Sequence, residues 1–342
     1  MDNIVEYVNI DHCGLGLTNQ IGKLTSGIMV GKFTNKKYVI VSKFRCQYNN
    51  EKSVPISEII DLDNLSTDCN IKIMDLSNFD FKIIFVKYGT CQDQVDITDV
   101  IGDVIPKSLN LNDLKGDPSP GTVKKLFIKY SVNNDENIII YKEKCYDDIT
   151  LSAKYLKYHS NEWISTYDID YYDQIIKSIK FNQKFYTLAK QFIQPHIKFN
   201  IIHLRNEEDA LLFWSKINNM PIPFFKDKLQ NKYVTLVNKY IKKEDLTIIL
   251  TSNNNCQLIN YFINNKYNIK LTIKNFDDER ELNAIVDLLV SEYCNDIFIG
   301  GINPINYHGS TFSYLIWKRL NPNTKKILFD LDRIDDHEFI IN

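Results

Sequence analysis

Hydrophobic and polar positions change their period several times along the chain, and each change marks an element. Residues 4–10, "IVEYVNI", read as a strand followed by the tight turn "HCGLGLTNQ". Helical spacing then runs from about residue 18 to residue 33, and "KKYVIV" around 37–41 reads as a second strand, which completes a β-loop-α-β unit. "SEIIDLDNL" (57–65) predicts a short helix, with "NIKIMDL" and "FKIIFVKYG" as strands behind it. Residues 102–123, rich in Gly, Pro, Asn and Asp, predict a loop, either a plain connector or a lid. Helical spacing over 169–192 is stopped by Pro195. Beyond it "FNIIHL", "LTIIL" (246–250), "IKLTI" (269–273) and "DIFIGG" read as strands. The helices "CQLINYFINN", "ELNAIVDLLVSEY" and "STFSYLIWKRL" are interleaved with them; in the second, Leu282, Ile285, Val286 and Leu289 share one face. Strands and helices alternating at these lengths predict an α/β fold with a parallel, doubly wound sheet.

A chain of 342 residues exceeds one typical core and predicts two domains. We place the boundary near Pro195: a first α/β domain over 1–195, carrying the 102–123 loop, a second over 196–325, and a strand or tail over 326–342. Composition changes this picture little. Hydrophobic residues at 44% and charged residues at 25% describe an ordinary soluble protein. A net charge of −2 gives no reason to expect nucleic acid or an anionic membrane as partner. The seven scattered cysteines form no C-x-x-C pair and fit neither a zinc site nor a disulfide framework. The N-terminus has no signal-peptide pattern, and no window approaches the roughly 18 apolar residues of a membrane span. The expectation is a cytoplasmic protein.

Three segments carry candidate chemistry, each where a strand gives way to a polar loop or a helix start, the place where open α/β sheets collect ligands. "GLGLTNQ" (14–20) is half of a dinucleotide fingerprint: the third glycine is missing, and the next strand ends without the acid that holds a ribose, which weakens a dehydrogenase reading. It reads either as a glycine turn with Thr18 capping a helix or as a backbone loop lying against a ligand, Gly16 giving close approach and Asn19 and Gln20 offering amides. In "NIIHLRNEEDALLFW" (200–214), His203 and Arg205 leave one face of a strand. Arginine's planar fork suits a phosphate, although a strand-end Arg is also a common ion-pair partner and a strand His a common core residue. Glu207, Glu208 and Asp209 either form an acidic first helical turn or lock the Arg205 fork in place. In "GGINPINYHGSTFSYLIWKRL" (300–320), Gly309-Ser310-Thr311 marks a helix N-terminus, which is either a simple cap or an anion site. Arg205 and Ser310/Thr311 together are suited to grip a diphosphate.

The three segments, in this order, resemble the fucosyltransferase superfamily. "GLGLTNQIGKLTSGIMVGKFTNKKYVIV" resembles its N-terminal loop, helix and strand. "HLRNEEDA" resembles the His-x-Arg donor motif, nearest the protein O-fucosyltransferase-like branch, and "LVSEYCNDIFIGGINPINYHGSTFSYLIWKRL" resembles the last motif, Ser-Thr-Phe-Ser opening a helix. In "TIILTSNNN", Asn253 and Asn254 stand where relatives carry Ser-Asp.

The resemblance implies a GT-B architecture, two Rossmann-like domains facing a cleft, and an inverting glycosyltransferase that moves fucose from GDP-fucose to a glycan or protein hydroxyl. A rhamnosyltransferase using another nucleotide 6-deoxysugar and a non-catalytic nucleotide-sugar-binding protein are the alternatives. It implies no obligatory metal and no cofactor beyond the nucleotide-sugar donor. Arg205 would stabilise the leaving diphosphate with Ser310, Thr311 and the N–H groups near Phe312; His203 would orient the sugar or a phosphate oxygen, and Gly16, Asn253 and Asn254 would contact the donor. Asn19 would approach sugar and acceptor from the other, N-terminal domain, and Glu207 and Asp209 are the candidate general bases.

Overall fold

The computed structural model describes residues 5–8, 10, 16–46, 52–101, 104–105, 109–142, 149–150, 168–193, 197–252, 256–272, 274–276 and 279–342. Backbone packing divides the chain into two compact units. One comprises Met1–Cys13, Gly22–Phe44 and Val54–Tyr172; the other comprises Gly14–Ile21, Arg45–Ser53 and Asp173–Asn342. Residues 16–21, which the sequence assigns to a first domain, thus pack with the C-terminal unit.

The first unit opens with β1 (Val5–Val8), α1 (Leu17–Phe33), whose first turn belongs to the other unit, and β2 (Tyr38–Val41). After the two-residue strands β3 (Phe44–Arg45) and β4 (Ser53–Val54) come α2 (Leu62–Cys69) and β5 (Lys72–Asp75). β1, β2 and β5 form a parallel sheet, with Tyr7 opposite Ile40 and Ile40 opposite Met74. The helix expected over 57–65 starts later, at Leu62, because the Asp61 carboxylate caps it by accepting from the Asn64 N–H at 3.0 Å; a 3-10 turn, Ile56–Glu58, precedes it.

A four-stranded antiparallel sheet follows, which the alternation rule did not anticipate. It is built from β6 (Phe81–Gly89), β7 (Gln94–Asp96), β9 (Lys125–Val132) and β10 (Asp135–Lys142), in the order β10-β9-β6-β7. The β9–β10 hairpin turns on Asn133 and Asn134, both at positive φ (49° and 71°), a conformation asparagine tolerates and a tight hairpin requires. Val86, Tyr88, Leu126, Ile128 and Tyr130 pack its inner face with Ile40 of β2. Inside the expected loop 102–123 lie β8 (Val104–Ile105), paired with β11 (Ile149–Thr150), and a single helical turn, α3 (Asn112–Lys115).

The helix expected over 169–192 is two helices, α4 (Ile169–Ser178) and α5 (Gln183–Phe192). The break falls where Ile179 and Phe181 are buried and Asn182 turns extended (ψ 149°) to start α5.

The C-terminal unit is the doubly wound one. Its strands are β12 (Asn200–His203), β13 (Thr247–Leu250), β14 (Ile269–Leu271), β15 (Ile297–Gly301), β16 (Lys325–Phe329) and β17 (Phe339–Ile341). They lie in the order β14-β13-β12-β15-β16-β17, parallel except for β17 at the edge. The crossovers carry α6 (Glu208–Ile217), α7 (Ile222–Tyr240), α8 (Gln257–Asn264), α9 (Arg280–Glu292) and α10 (Thr311–Arg319). Every residue of β12 and β13 is buried, which explains their nearly unbroken Ile and Leu runs. Phe225, Leu229, Tyr233 and Leu236 of α7 pack on Ile202, Ile249 and Phe329 from the sheet. From β12 the chain winds outward through β13 and β14, then returns to the other side of β12 with β15. The switch point therefore lies between the carboxyl ends of β12 and β15, where such sheets bind ligands.

Candidate active site

A pocket of about 250 Å³ opens at that switch point, and all of its lining residues belong to the C-terminal unit. His203, Arg205, Glu207 and Asp209 enter it from the end of β12. Ser310, Thr311 and Phe312 come from the start of α10, and Gly16 and Asn19 from the start of α1. Asn253 and Asn254 lie outside the described residues; their neighbours Thr251 and Ser252 line the pocket.

His203 is the last residue of β12 and 4% exposed. Its Nδ1 lies 2.7 Å from the Ser313 hydroxyl, and its ring meets Phe312 edge-on at 5.1 Å between centroids. Burial, and then the neighbouring charge of Arg205, push its pKa down to about 3, so the ring is neutral at physiological pH. A neutral imidazole has one donor and one acceptor nitrogen, so the tautomer that accepts from Ser313 at Nδ1 would present a donor at Nε2.

Arg205 follows on a turn that Tyr233 fixes: the tyrosine hydroxyl donates to the His203 carbonyl at 2.8 Å and accepts from the Arg205 N–H at 3.2 Å. The guanidinium lies 2.9 Å from Glu207 and 3.5 Å from Asp209, and the second Glu207 oxygen accepts from Ser252 at 2.7 Å. Both carboxylates are thus engaged in bracing the fork.

Across the switch point, Ser310 caps α10: its hydroxyl accepts from the Ser313 N–H at 3.4 Å, while its own N–H donates to the Gly301 carbonyl at 2.8 Å. Gly309 makes this corner possible. Its φ is +135°, and a Cβ there would stand 2.7 Å from the Ile302 Cα and 2.8 Å from the Gly301 oxygen. Helix geometry leaves the N–H groups of Thr311 and Phe312 without acceptors one turn back, and both residues line the pocket. The site therefore pairs a fixed guanidinium with a helix N-terminus, the two standard devices for an anion.

Four charged lining residues escaped the sequence reading: Lys274, Arg280, Glu281 and Asp287. Glu281 and Asp287 sit on α9 in a helical apolar pattern, and their only signal was that they interrupt it with acids. Asp287 is buried, paired with Lys274 at 3.2 Å, and its Oδ1 has no hydrogen-bond partner among the described residues; burial pushes its pKa up against the pull of Lys274 and Thr272. Glu281 is 2% exposed and accepts from the Leu17 N–H at the start of α1; burial raises its pKa too. Among the described residues, no group of three or more His, Cys, Asp or Glu is placed to hold a metal ion. None of the described helices is long and apolar enough to cross a membrane.

No family model matches the chain, and no curated protein matches it. Solved structures do. The crystal structure of POFUT1 in complex with GDP-fucose aligns over 96% of this chain and 99% of that one, with a TM-score of 0.50 at 11% identity. The fucosyltransferase NodZ from Bradyrhizobium aligns over 99% and 98%, with a TM-score of 0.47 at 12% identity. NodZ α-1,6-fucosyltransferase soaked with GDP-fucose gives 0.48 at 11%. At such identities the likeness to POFUT1 concerns the fold. The chain has the mixed α/β fold of the GT-B fucosyltransferase branch that its motifs resemble.

Proposed function

We propose that this protein is an inverting glycosyltransferase that takes fucose from GDP-fucose and transfers it to a hydroxyl of a glycan or protein. One observation carries the reading: Arg205 and the N-terminus of α10 converge on a single pocket at the switch point of a doubly wound sheet. When the bond between the sugar and the β-phosphate breaks, negative charge develops on the leaving diphosphate. Preorganised donors aimed at that charge are the largest lever such an enzyme has. Arg205, held by Tyr233, Glu207 and Asp209, supplies a cation that needs no reorganisation. The Thr311 and Phe312 N–H groups and the Ser310 and Thr311 hydroxyls supply the rest, and the Nε2–H of neutral His203 orients a phosphate or sugar oxygen.

Asp287 favours guanine as the base. Its buried, unpartnered oxygen calls for N–H donors, and guanine offers an adjacent N1–H and N2–H₂ where uracil offers one N–H. The donor-contact roles of Gly16, Asn253 and Asn254 belong to the same reading.

Thermal-shift and calorimetric titration with GDP, UDP and their sugars tests it. GDP and GDP-fucose are expected to raise the melting temperature, since a ligand at about 100 times its Kd adds roughly 2.7 kcal/mol to the folded state. UDP binding as tightly as GDP would remove the guanine assignment, and no response to any nucleotide would remove the donor site. Binding without any release of GDP from GDP-fucose would favour a non-catalytic sugar-nucleotide receptor.

A further inference from the structure

We propose that Glu281 is the general base of the transfer reaction, an assignment that rests on the glycosyl-transfer reading of the pocket. Its side chain is almost wholly buried, yet lines the pocket. Oε2 is held by the Leu17 N–H. Among the described residues Oε1 is buried without a hydrogen-bond partner, and its ion-pair neighbour is the Arg280 Nε at 3.8 Å. A carboxylate oxygen in that position lacks a donor, and an acceptor hydroxyl is one.

The other carboxylates in the pocket are less free. Arg205 ion-pairs with both Glu207 and Asp209, and Lys274 already occupies one oxygen of Asp287. Glu281 and Arg205 line the same pocket. Asp287 is six residues further along α9, a rise of about 9 Å. One helix thus offers an acid to the nucleotide base and another to the reacting end. Burial makes Glu281 a stronger base than a solvated carboxylate, with Arg280, Arg205 and the Leu17 N–H pulling the other way.

The step balances. The acceptor oxygen bonds to the anomeric carbon as its proton passes to Glu281 Oε1. The carbon–oxygen bond to the β-phosphate breaks, and its electron pair leaves on the phosphate oxygen beside Arg205. The carboxylate becomes a neutral acid and GDP carries away the charge.

The rival role for Glu281 is structural, a carboxylate fastening the first turn of α1. Glu281→Gln keeps an oxygen for the Leu17 N–H and removes the basicity. With water as acceptor, GDP release from GDP-fucose should fall by about 10²–10⁴ in kcat in this variant, while the KM for GDP-fucose, calorimetric GDP affinity and Tm stay near wild type. The acid limb of the wild-type pH profile, displaced above the usual carboxylate range, should vanish. Sodium azide, a nucleophile with no proton to lose, should restore turnover in Glu281→Gln and Glu281→Ala and yield fucosyl azide. Wild-type turnover in Glu281→Gln overturns the assignment and leaves the glycosyl-transfer reading intact. So does a lowered Tm with lost GDP affinity and no response to azide, which identifies a structural fastener. A wild-type chain that neither binds GDP-fucose nor releases GDP from it overturns the glycosyl-transfer reading and this assignment with it.

Discussion

Arg205 shows how one side chain acquires a task from its surroundings. On its own, a guanidinium near two carboxylates at a strand end is a surface ion pair contributing about 0–1 kcal/mol. Here a buried tyrosine fixes its backbone, and Glu207 is itself tied down by Ser252. Arg205→Ala is therefore expected to cost about 10²–10³ in turnover while shifting Tm little, measured by GDP release and by thermal melting. Near-normal activity would remove Arg205 from the reaction. His203 carries a second prediction, in pH. Its folded pKa is depressed from 6.5 to about 3, so between those values the unfolded chain binds a proton that the folded chain refuses. Stability from this residue is present above pH 6.5 and lost as pH falls, by up to about 1.4 kcal/mol per pH unit. Chemical denaturation of the wild type and of His203→Gln at a series of pH values should show the two curves converging on acidification; parallel curves would mean a solvated ring. Both residues were legible in the sequence. Tyr233, on α7 and thirty positions from His203, was not, since nothing local marks which buried tyrosine will meet the turn.

At the scale of elements, two helix starts, those of α1 and α10, line the pocket. α10 begins with a Ser310 cap and a Gly309 corner, both of which local sequence announces, because capping hydroxyls and positive-φ glycines are short-range necessities. Thr311→Ala is expected to weaken GDP binding roughly 2–10-fold through one lost contact at that N-terminus. Asn19→Ala, on the first turn of α1, should instead lower transfer and leave GDP affinity nearly intact, because Asn19 is read as facing the sugar and acceptor. Calorimetric titration of GDP into both variants, with transfer assayed in parallel, separates the roles. Equal losses of affinity would place Asn19 among the nucleotide ligands. The helix expected over 169–192 divides into α4 and α5 for a reason that helical spacing does not encode. The chain leaves the helix where Ile179 and Phe181 are buried, and tertiary burial outweighs local periodicity there.

For the whole molecule, the charge that the proposed reaction needs comes from Arg205 and a helix dipole, so activity is expected to survive excess EDTA in a GDP-release assay. Complete loss, restored by Mn²⁺ or Mg²⁺, would overturn the metal-independent mechanism. The sequence by itself determined the parallel character of the C-terminal sheet, four of its six strands, the two polar motifs at their ends and the fold family they resemble. These follow from periodicity and from backbone groups that must be satisfied within a few residues. Only the tertiary structure decided the antiparallel sheet of the first unit and the packing of residues 16–21 with the C-terminal unit. It alone placed Glu281 and Asp287 in the pocket, on a helix whose sequence reads as plain core. A buried carboxylate on an apolar helix looks the same in sequence whether it meets an arginine, a backbone N–H or a cavity. Which of these it meets depends on contacts between segments hundreds of residues apart, and those contacts exist only once the chain has folded.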